Sequence, residues 1–257
     1  MPGILLTVAY DGTDFSGWAY QKVGRTVADA LNGAVLAVDA KAGPLRGTSR
    51  TDAGVHAEMQ MVAFDASLEI APRNWVLGIN SHLPKDVAVR RAQYVPLDFN
   101  PRFRCNEKTY RYRLLTDRVR DPLHRHYAWR VPHPLDVQKM NEEAKSALGT
   151  HDFRAFRSSG DERTDTVRTL TQMDVIQSSD ERGIDIVVTG DAFLYNMVRI
   201  LVGTLVDVGR GKTEPGTIAR ALANGERGIL GETAPAQGLT LERVVLALPS
   251  ESGEAWP

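Results

Sequence analysis

Leu5-Leu6-Thr7-Val8-Ala9-Tyr10-Asp11-Gly12-Thr13-Asp14-Phe15 starts as a β-rich run and breaks into turn residues. The strand reads from Ile4 to Tyr10. A loop follows to Lys22, and a helix begins near Thr26, an N-cap type of residue. Val27, Leu31, Val35 and Val38 recur at helical spacing, and Gly43-Pro44 closes the segment. The same order returns late in the chain. Ile186-Val187-Val188-Thr189-Gly190-Asp191-Ala192-Phe193 again leads from a strand toward a helix. Repeating one strand-to-helix entry predicts two α+β halves, each a sheet with helices on one face.

Between these anchors the spacing predicts a strand over Met59–Phe64, a helix over Asn74–His82 stopped by Pro84, and a strand over Val87–Tyr94. Phe99–Asn106 reads as a connector. The halves are therefore set at 1–106 and 107–248, with a loose tail over 249–257. Thr109–Thr116 alternates, with Tyr110, Tyr112 and Leu114 on one face and Arg111 and Arg113 on the other. Asp136 caps a helix toward Leu148. Thr166–Gln177 and Ile184–Thr189 form a hairpin pair. Leu194–Val208 reads as a buried apolar helix, Thr217–Asn224 as a further helix, and Leu241–Leu248 as a closing strand.

No uncharged apolar run of about 18 residues is present, so no membrane-spanning helix is expected. Met1–Thr7 lacks the basic region and cleavage site of a signal peptide. A lone Cys105 forms neither an internal disulfide nor a cysteine-rich metal site, and together these point to a reducing cytoplasm. The net charge of −1 gives no global sign of a polyanionic partner. Its distribution says more: Arg102, Arg104, Lys108, Arg111, Arg113, Arg118, Arg120, Arg125 and Arg130 are opposed only by Glu107, Asp117 and Asp121. Tyr110, Tyr112, Tyr127 and Trp129 are interleaved, a mixture that suits a strand of phosphates and stackable bases. It also suits a solvated strand face over ordinary core aromatics.

Cofactor motifs are missing. Gly211-Lys212-Thr213 invites a phosphate-loop reading, but Val206 stands where the earlier glycine belongs and a helix precedes. No Gly-x-Gly-x-x-Gly follows a strand, and His124 and His126 have no matching ligand pair. Ser158-Ser159 and Ser178-Ser179 lack the setting of a nucleophilic serine.

The segment that can carry chemistry is Arg50-Thr51-Asp52-Ala53-Gly54-Val55-His56-Ala57. By itself a loop aspartate reads as a turn cap with a surface ion-pair partner. Beside a guanidinium it also stays ionised, and an ionised carboxylate in a pocket serves as a nucleophile or a base. Residue chemistry alone selects no substrate.

This stretch resembles the signature of the bacterial tRNA pseudouridine synthase A family. Other blocks match in order: Tyr10-Asp11-Gly12-Thr13 with Phe15 and Gly17-Trp18, Arg25-Thr26-Val27, Pro101-Arg102-Phe103, and Lys108 to Arg113. They continue through His151-Asp152-Phe153 with Phe156-Arg157, Phe193 to Gly203, and Ala234 to Leu239. Two positions depart from the pattern. Ala19 follows Trp18 where glutamine is usual, and Thr48-Ser49 replace Ala-Gly before the arginine.

The resemblance implies an isomerase that converts uridine to pseudouridine at positions 38, 39 and 40 of the tRNA anticodon stem-loop. It implies two ferredoxin-like or RRM-like α+β halves with antiparallel sheets, joined into a pseudouridine synthase fold. Helices would lie on the outer face and the active-site cleft between the halves. Asp52 would be the nucleophile, attacking the sugar, or else would help abstract a sugar proton to form a glycal. Arg199 would be its basic partner, and Arg50 would help open the base stack or hold the vacated backbone. Tyr110 would stack on the uracil, with His56, Arg111 and Arg113 also contacting substrate. No cofactor or metal is expected, because the reaction has no redox change and no net hydrolysis. The partners would be tRNA and a second copy in a homodimer. Two other readings compete: a non-catalytic RNA-binding protein on the same scaffold, and an aspartate-dependent hydrolase using Asp65 or Glu58 as a second carboxylate.

Overall fold

The computed structural model describes residues 2–158, 160–161, 163–178, 182–250, 253 and 255–256. Ser159 and Ser179, weighed above as nucleophiles, lie outside the described residues. The chain divides into two compact units, Met1–Asn106 with Leu241–Pro257, and Glu107–Thr240. Each contains both helices and antiparallel strands. No described helix is long and apolar enough to cross a membrane.

In the first unit β1 (Gly3–Tyr10) is central. It is buried almost throughout, so its apolar residues run on without alternation. Helix α1 (Val27–Val38) follows, capped where Thr26 Oγ1 accepts from the Asp29 amide at 3.2 Å. Next come β2 (Arg46–Gly47) and β3 (His56–Asp65), which pair antiparallel. Helix α2 (Pro72–His82) starts on a proline, which lacks the N–H that would be orphaned there. It buries Trp75 edge-on against Phe64 with ring centroids 5.3 Å apart. β4 (Val87–Val95) pairs antiparallel with β1 on the side opposite β3.

In the second unit β5 (Cys105–Leu115) pairs with the short β6 (Trp129–Arg130). Helix α3 (Val137–Ala144) is capped by Asp136, which accepts the Lys139 amide at 3.0 Å. It ends four residues before Leu148, in a 3-10 turn at Lys145–Ala147. β7 (Gly149–Asp152), β8 (Val167–Gln177) and β9 (Gly183–Gly190) complete the strand order β5-β9-β8-β7. Helix α4 (Met197–Gly209) is buried at every residue except Arg199. It starts three residues later than the apolar pattern suggests, because Asn196 takes a left-handed backbone at φ 61° and interrupts the run. Helix α5 (Thr217–Asn224) is capped from outside: the Glu143 carboxylate accepts the Gly216 and Ile218 amides at 2.5 and 2.6 Å.

β10 (Leu239–Leu246) and β11 (Ala255–Trp256) extend the first unit's order to β11-β4-β1-β3-β10. This differs from the sequence reading in two ways. The closing strand goes with the first unit, where Leu246 packs against Leu5, Ala63, Val95 and Phe99. Within the tail, Ala255 and Trp256 pair antiparallel with Gln93 and Ala92, where a loose segment was expected. Gly253 adds a backbone bond to Tyr94.

Candidate active site

The loop from Thr48 to Val55 joins β2 to β3 and carries Asp52. It is pinned from below by one buried amide. Gln60 Oε1 accepts from Thr48 Oγ1 at 2.7 Å and from the Ser49 amide at 3.2 Å, while Nε2 donates to the Ser49 carbonyl at 2.6 Å. The Thr48 amide also donates to the Met61 carbonyl at 3.0 Å. Thr48, a departure from the family pattern, therefore has a definite partner. Ser49 has a buried hydroxyl that no hydrogen-bond partner reaches.

A second set of bonds stitches this loop to the one between β1 and α1. The Trp18 amide donates to the Thr51 carbonyl at 3.0 Å, and the Gly54 amide to the Phe15 carbonyl at 3.3 Å. Tyr10 and Thr51 share a buried hydroxyl–hydroxyl bond of 2.7 Å. Glycine is required at two points of this seam. Gly17 has φ 107°, and a β-carbon there would stand 2.8 Å from the Thr51 carbonyl oxygen. At Gly12 a β-carbon would stand 2.0 Å from the Val55 carbonyl oxygen.

Asp52 is half-buried and Arg50 exposed on this frame, with the Val55 amide closing a turn on the Asp52 carbonyl at 3.1 Å. His56 is buried. Its Nδ1 accepts the Gly12 amide at 3.1 Å and lies equally close to Asp11 Oδ1. Asp11 Oδ1 is already occupied by the Thr13 amide and hydroxyl. His56 thus holds the turn after β1.

The second carboxylates weighed for a hydrolase are placed otherwise. Asp65 forms a two-pronged bond to the Arg46 guanidinium, 2.8 Å on each side, which holds its carboxyl below the ordinary range. Glu58 is exposed on β3.

In the second unit, the alternation of β5 is seen directly: Tyr110, Tyr112 and Leu114 are buried, and Arg111 and Arg113 are not. Tyr110, 8 % exposed, sits edge-on to Phe193 at 5.1 Å. Tyr112 is fully buried, and its hydroxyl donates to the Pro235 carbonyl at 2.7 Å. Burial raises its pKa strongly, so it remains a donor. Arg111 and Arg113 both meet Asp185 on β9, at 3.2 and 3.1 Å, and Arg113 also reaches Ser178. The two arginines expected to face substrate are thus tied to a buried carboxylate. Arg199 is half-buried. Its Nε donates to the Ala234 carbonyl at 2.7 Å and a terminal nitrogen to Asn196 Oδ1 at 2.6 Å. Lys212, from the rejected phosphate loop, pairs with Asp207 at 3.0 Å.

Sequence reasoning did not single out Gln60, Asn196 or Phe193's contact with Tyr110. The signal for Gln60 was an uncharged polar residue inside the otherwise apolar run Met59–Phe64, eleven residues after the loop serine it holds.

The family model described as tRNA pseudouridine synthase matches residues 6–104 and 144–245. A tRNA pseudouridine synthase A from Citrifermentans bemidjiense is 43% identical over 245 residues, 95% of this chain and 97% of that one. One from Halalkalibacterium halodurans is 44% identical, covering 93% of this chain and 90% of its own. One from a Thermoanaerobacter species (strain X514) is 38% identical, covering 95% of this chain and all of its own. On these matches, the chain belongs to the tRNA pseudouridine synthase family.

Proposed function

We propose that this protein converts uridine to pseudouridine in tRNA, at positions 38, 39 and 40 of the anticodon stem-loop. The observation that carries this reading is the Asp52 loop: a half-buried carboxylate on a backbone locked by Gln60, Thr51 and Gly17, in a chain of this family. The reaction rearranges one bond. An Asp52 oxygen bonds to C1′ as the C1′–N1 bond breaks and its electrons pass to the uracil. The uracil turns, C5 displaces the carboxylate at C1′, C5 loses its proton, and N1 gains one. Atoms and electrons balance without oxidant, nucleotide triphosphate or metal.

The remaining roles are assigned from the family resemblance. Arg50 opens the base stack or holds the vacated backbone, and Arg199 is the basic residue of the chemistry. Tyr110 stacks on the uracil, and its edge contact with Phe193 supports a fixed platform. His56 contacts substrate with a ring whose Nδ1 holds the turn after β1 by taking the Gly12 amide. Arg111 and Arg113 lie beside the RNA path with their charge partly offset by Asp185. A homodimer in the cytoplasm completes the reading, and the strand order β4-β1-β3-β10 of the first unit suits a ferredoxin-like half.

The test is direct. Unmodified tRNA is incubated with the protein, and pseudouridine is mapped along the anticodon arm. Pseudouridine within positions 38–40 is expected. No pseudouridine anywhere overturns the reading, and released uracil without pseudouridine indicates a hydrolase.

A further inference from the structure

The turn over residues 101–104 in the first unit points three side chains outward on a fixed backbone. The Arg102 amide donates to Asn100 Oδ1 at 3.1 Å and the Phe103 amide to the Asn100 carbonyl at 3.2 Å. Just before it, buried Phe99 gives its carbonyl to Arg46 Nε at 3.0 Å. Arg46 grips Asp65, and Asp65 Oδ1 also accepts the Asp98 amide at 3.0 Å. The turn is therefore anchored to β2 and β3, the strands whose connecting loop carries Arg50 and Asp52.

Arg102, Phe103 and Arg104 are exposed, and Phe103 is 81% open to solvent. Among the described residues, neither Arg50, Arg102 nor Arg104 makes an ion pair, whereas Arg25 and Arg46 of the same unit both hold carboxylates. Arg102 and Arg50 also act on one another. Crowding by protein atoms and then repulsion from Arg50 lower the pKa of the Arg102 guanidinium. A single exposed phenylalanine is ordinary. One held rigidly between unpaired arginines, with a third on the loop of the candidate nucleophile, has the chemistry of a nucleic-acid contact.

Resting on the pseudouridine synthase reading, we infer that this turn docks the substrate RNA: Arg50 and Arg102 share one phosphate, and Phe103 stacks on an unpaired base beside it. Uncompensated positive charge suits a phosphate, and an aromatic plane accepts any base without sequence preference.

The experiment measures binding of unmodified tRNA transcript by full-length Phe103→Ala, Arg102→Gln and, as a comparator on α2, Arg73→Gln, across about 50 to 200 mM KCl. Phe103→Ala is expected to weaken binding about tenfold. Arg102→Gln is expected to lower the slope of log affinity against log salt by about one, and Arg73→Gln to leave it unchanged. Wild-type affinity and slope in both turn variants overturn the inference. So does a Phe103→Ala variant that changes only the sedimentation coefficient, which would seat a second copy on the turn. The two readings fail separately. Pseudouridine formed with undiminished binding by the variants sinks the docking turn alone. Weakened binding by a protein that makes no pseudouridine sinks the enzymatic reading alone.

Discussion

Gln60 holds Ser49 by both backbone groups at once, accepting its amide at 3.2 Å and donating to its carbonyl at 2.6 Å. A strand side chain thereby fixes the residue from which Arg50, Thr51 and Asp52 project. The amide is completely buried, so each bond is made away from water and losing one leaves a desolvated group behind.

Gln60→Leu removes all three bonds at similar volume. It is expected to destabilise the fold by about 2–3 kcal/mol, seen as a lower midpoint in urea. Its more telling effect is on turnover. kcat on tRNA should fall at least about tenfold while tRNA binding weakens by a smaller factor, since a misplaced carboxylate affects the reacting atoms and, of the phosphate contacts, only Arg50 rides on the same loop. An equal loss in binding and kcat would place Gln60 outside the positioning of Asp52.

Ser49 presents the opposite case. Its hydroxyl is buried without a partner, while its backbone is fully used. Ser49→Ala deletes the orphan group and keeps the clamp. Stability should rise by about 1 kcal/mol, a gain of a few degrees in Tm by calorimetry. A lower Tm would mean that the hydroxyl has a partner.

How much of this was legible beforehand depends on the range of the interaction. The α1 cap at Thr26 and the faces of β5 are set by residues three or two apart, and both are read from spacing. The start of α4 is set by the backbone of Asn196, which hydropathy does not register. β7, Gly149-Thr150-His151-Asp152, has no apolar residue to mark it as a strand. The membership of β10 depends on contacts some 240 residues from its partner Leu5, beyond any local pattern. At the site, resemblance singled out Asp52, but Gln60 was passed over. Alternation puts it on a face that carries both exposed Glu58 and buried Val62 and Phe64, so spacing does not decide its burial, and its partners lie in the covering loop.

Asp185 faces Arg113 directly across β5 and β9 and takes Arg111 as well. Arg113→Gln removes a guanidinium that bonds both Asp185 and Ser178, so it is expected to destabilise by about 1–3 kcal/mol. Adding Asp185→Asn should recover part of that loss, because the buried charge then left with Arg111 alone is gone. Urea melts of the single and double variants measure it, and strict additivity would contradict the pairing.

Acid should loosen the first unit through Asp65 and Asp39. Arg46 holds the Asp65 carboxyl below its ordinary value. The Asp39 carboxyl is also lowered, since hydrogen bonds from Ser67, Lys41 and Leu68 outweigh the opposing effect of burial. A lowered folded-state pKa contributes stability that is fully present above the unfolded pKa, near 4, and lost as pH falls through the folded value. Stability should therefore fall steeply below about pH 4. Asp65→Asn should be less stable at neutral pH and show a shallower fall. An unchanged acid slope in this variant would remove Asp65 from the account.

The central claim concerns Asp52 and is tested by one substitution. Asp52→Asn keeps the size of the side chain and removes its charge, so the variant should bind tRNA as the wild type does. Under single-turnover conditions, pseudouridine in the anticodon arm is measured with enzyme in excess. Wild-type protein is expected to form it and Asp52→Asn to form none. Pseudouridine produced by Asp52→Asn at the wild-type rate would contradict the assignment of this carboxylate to the chemistry.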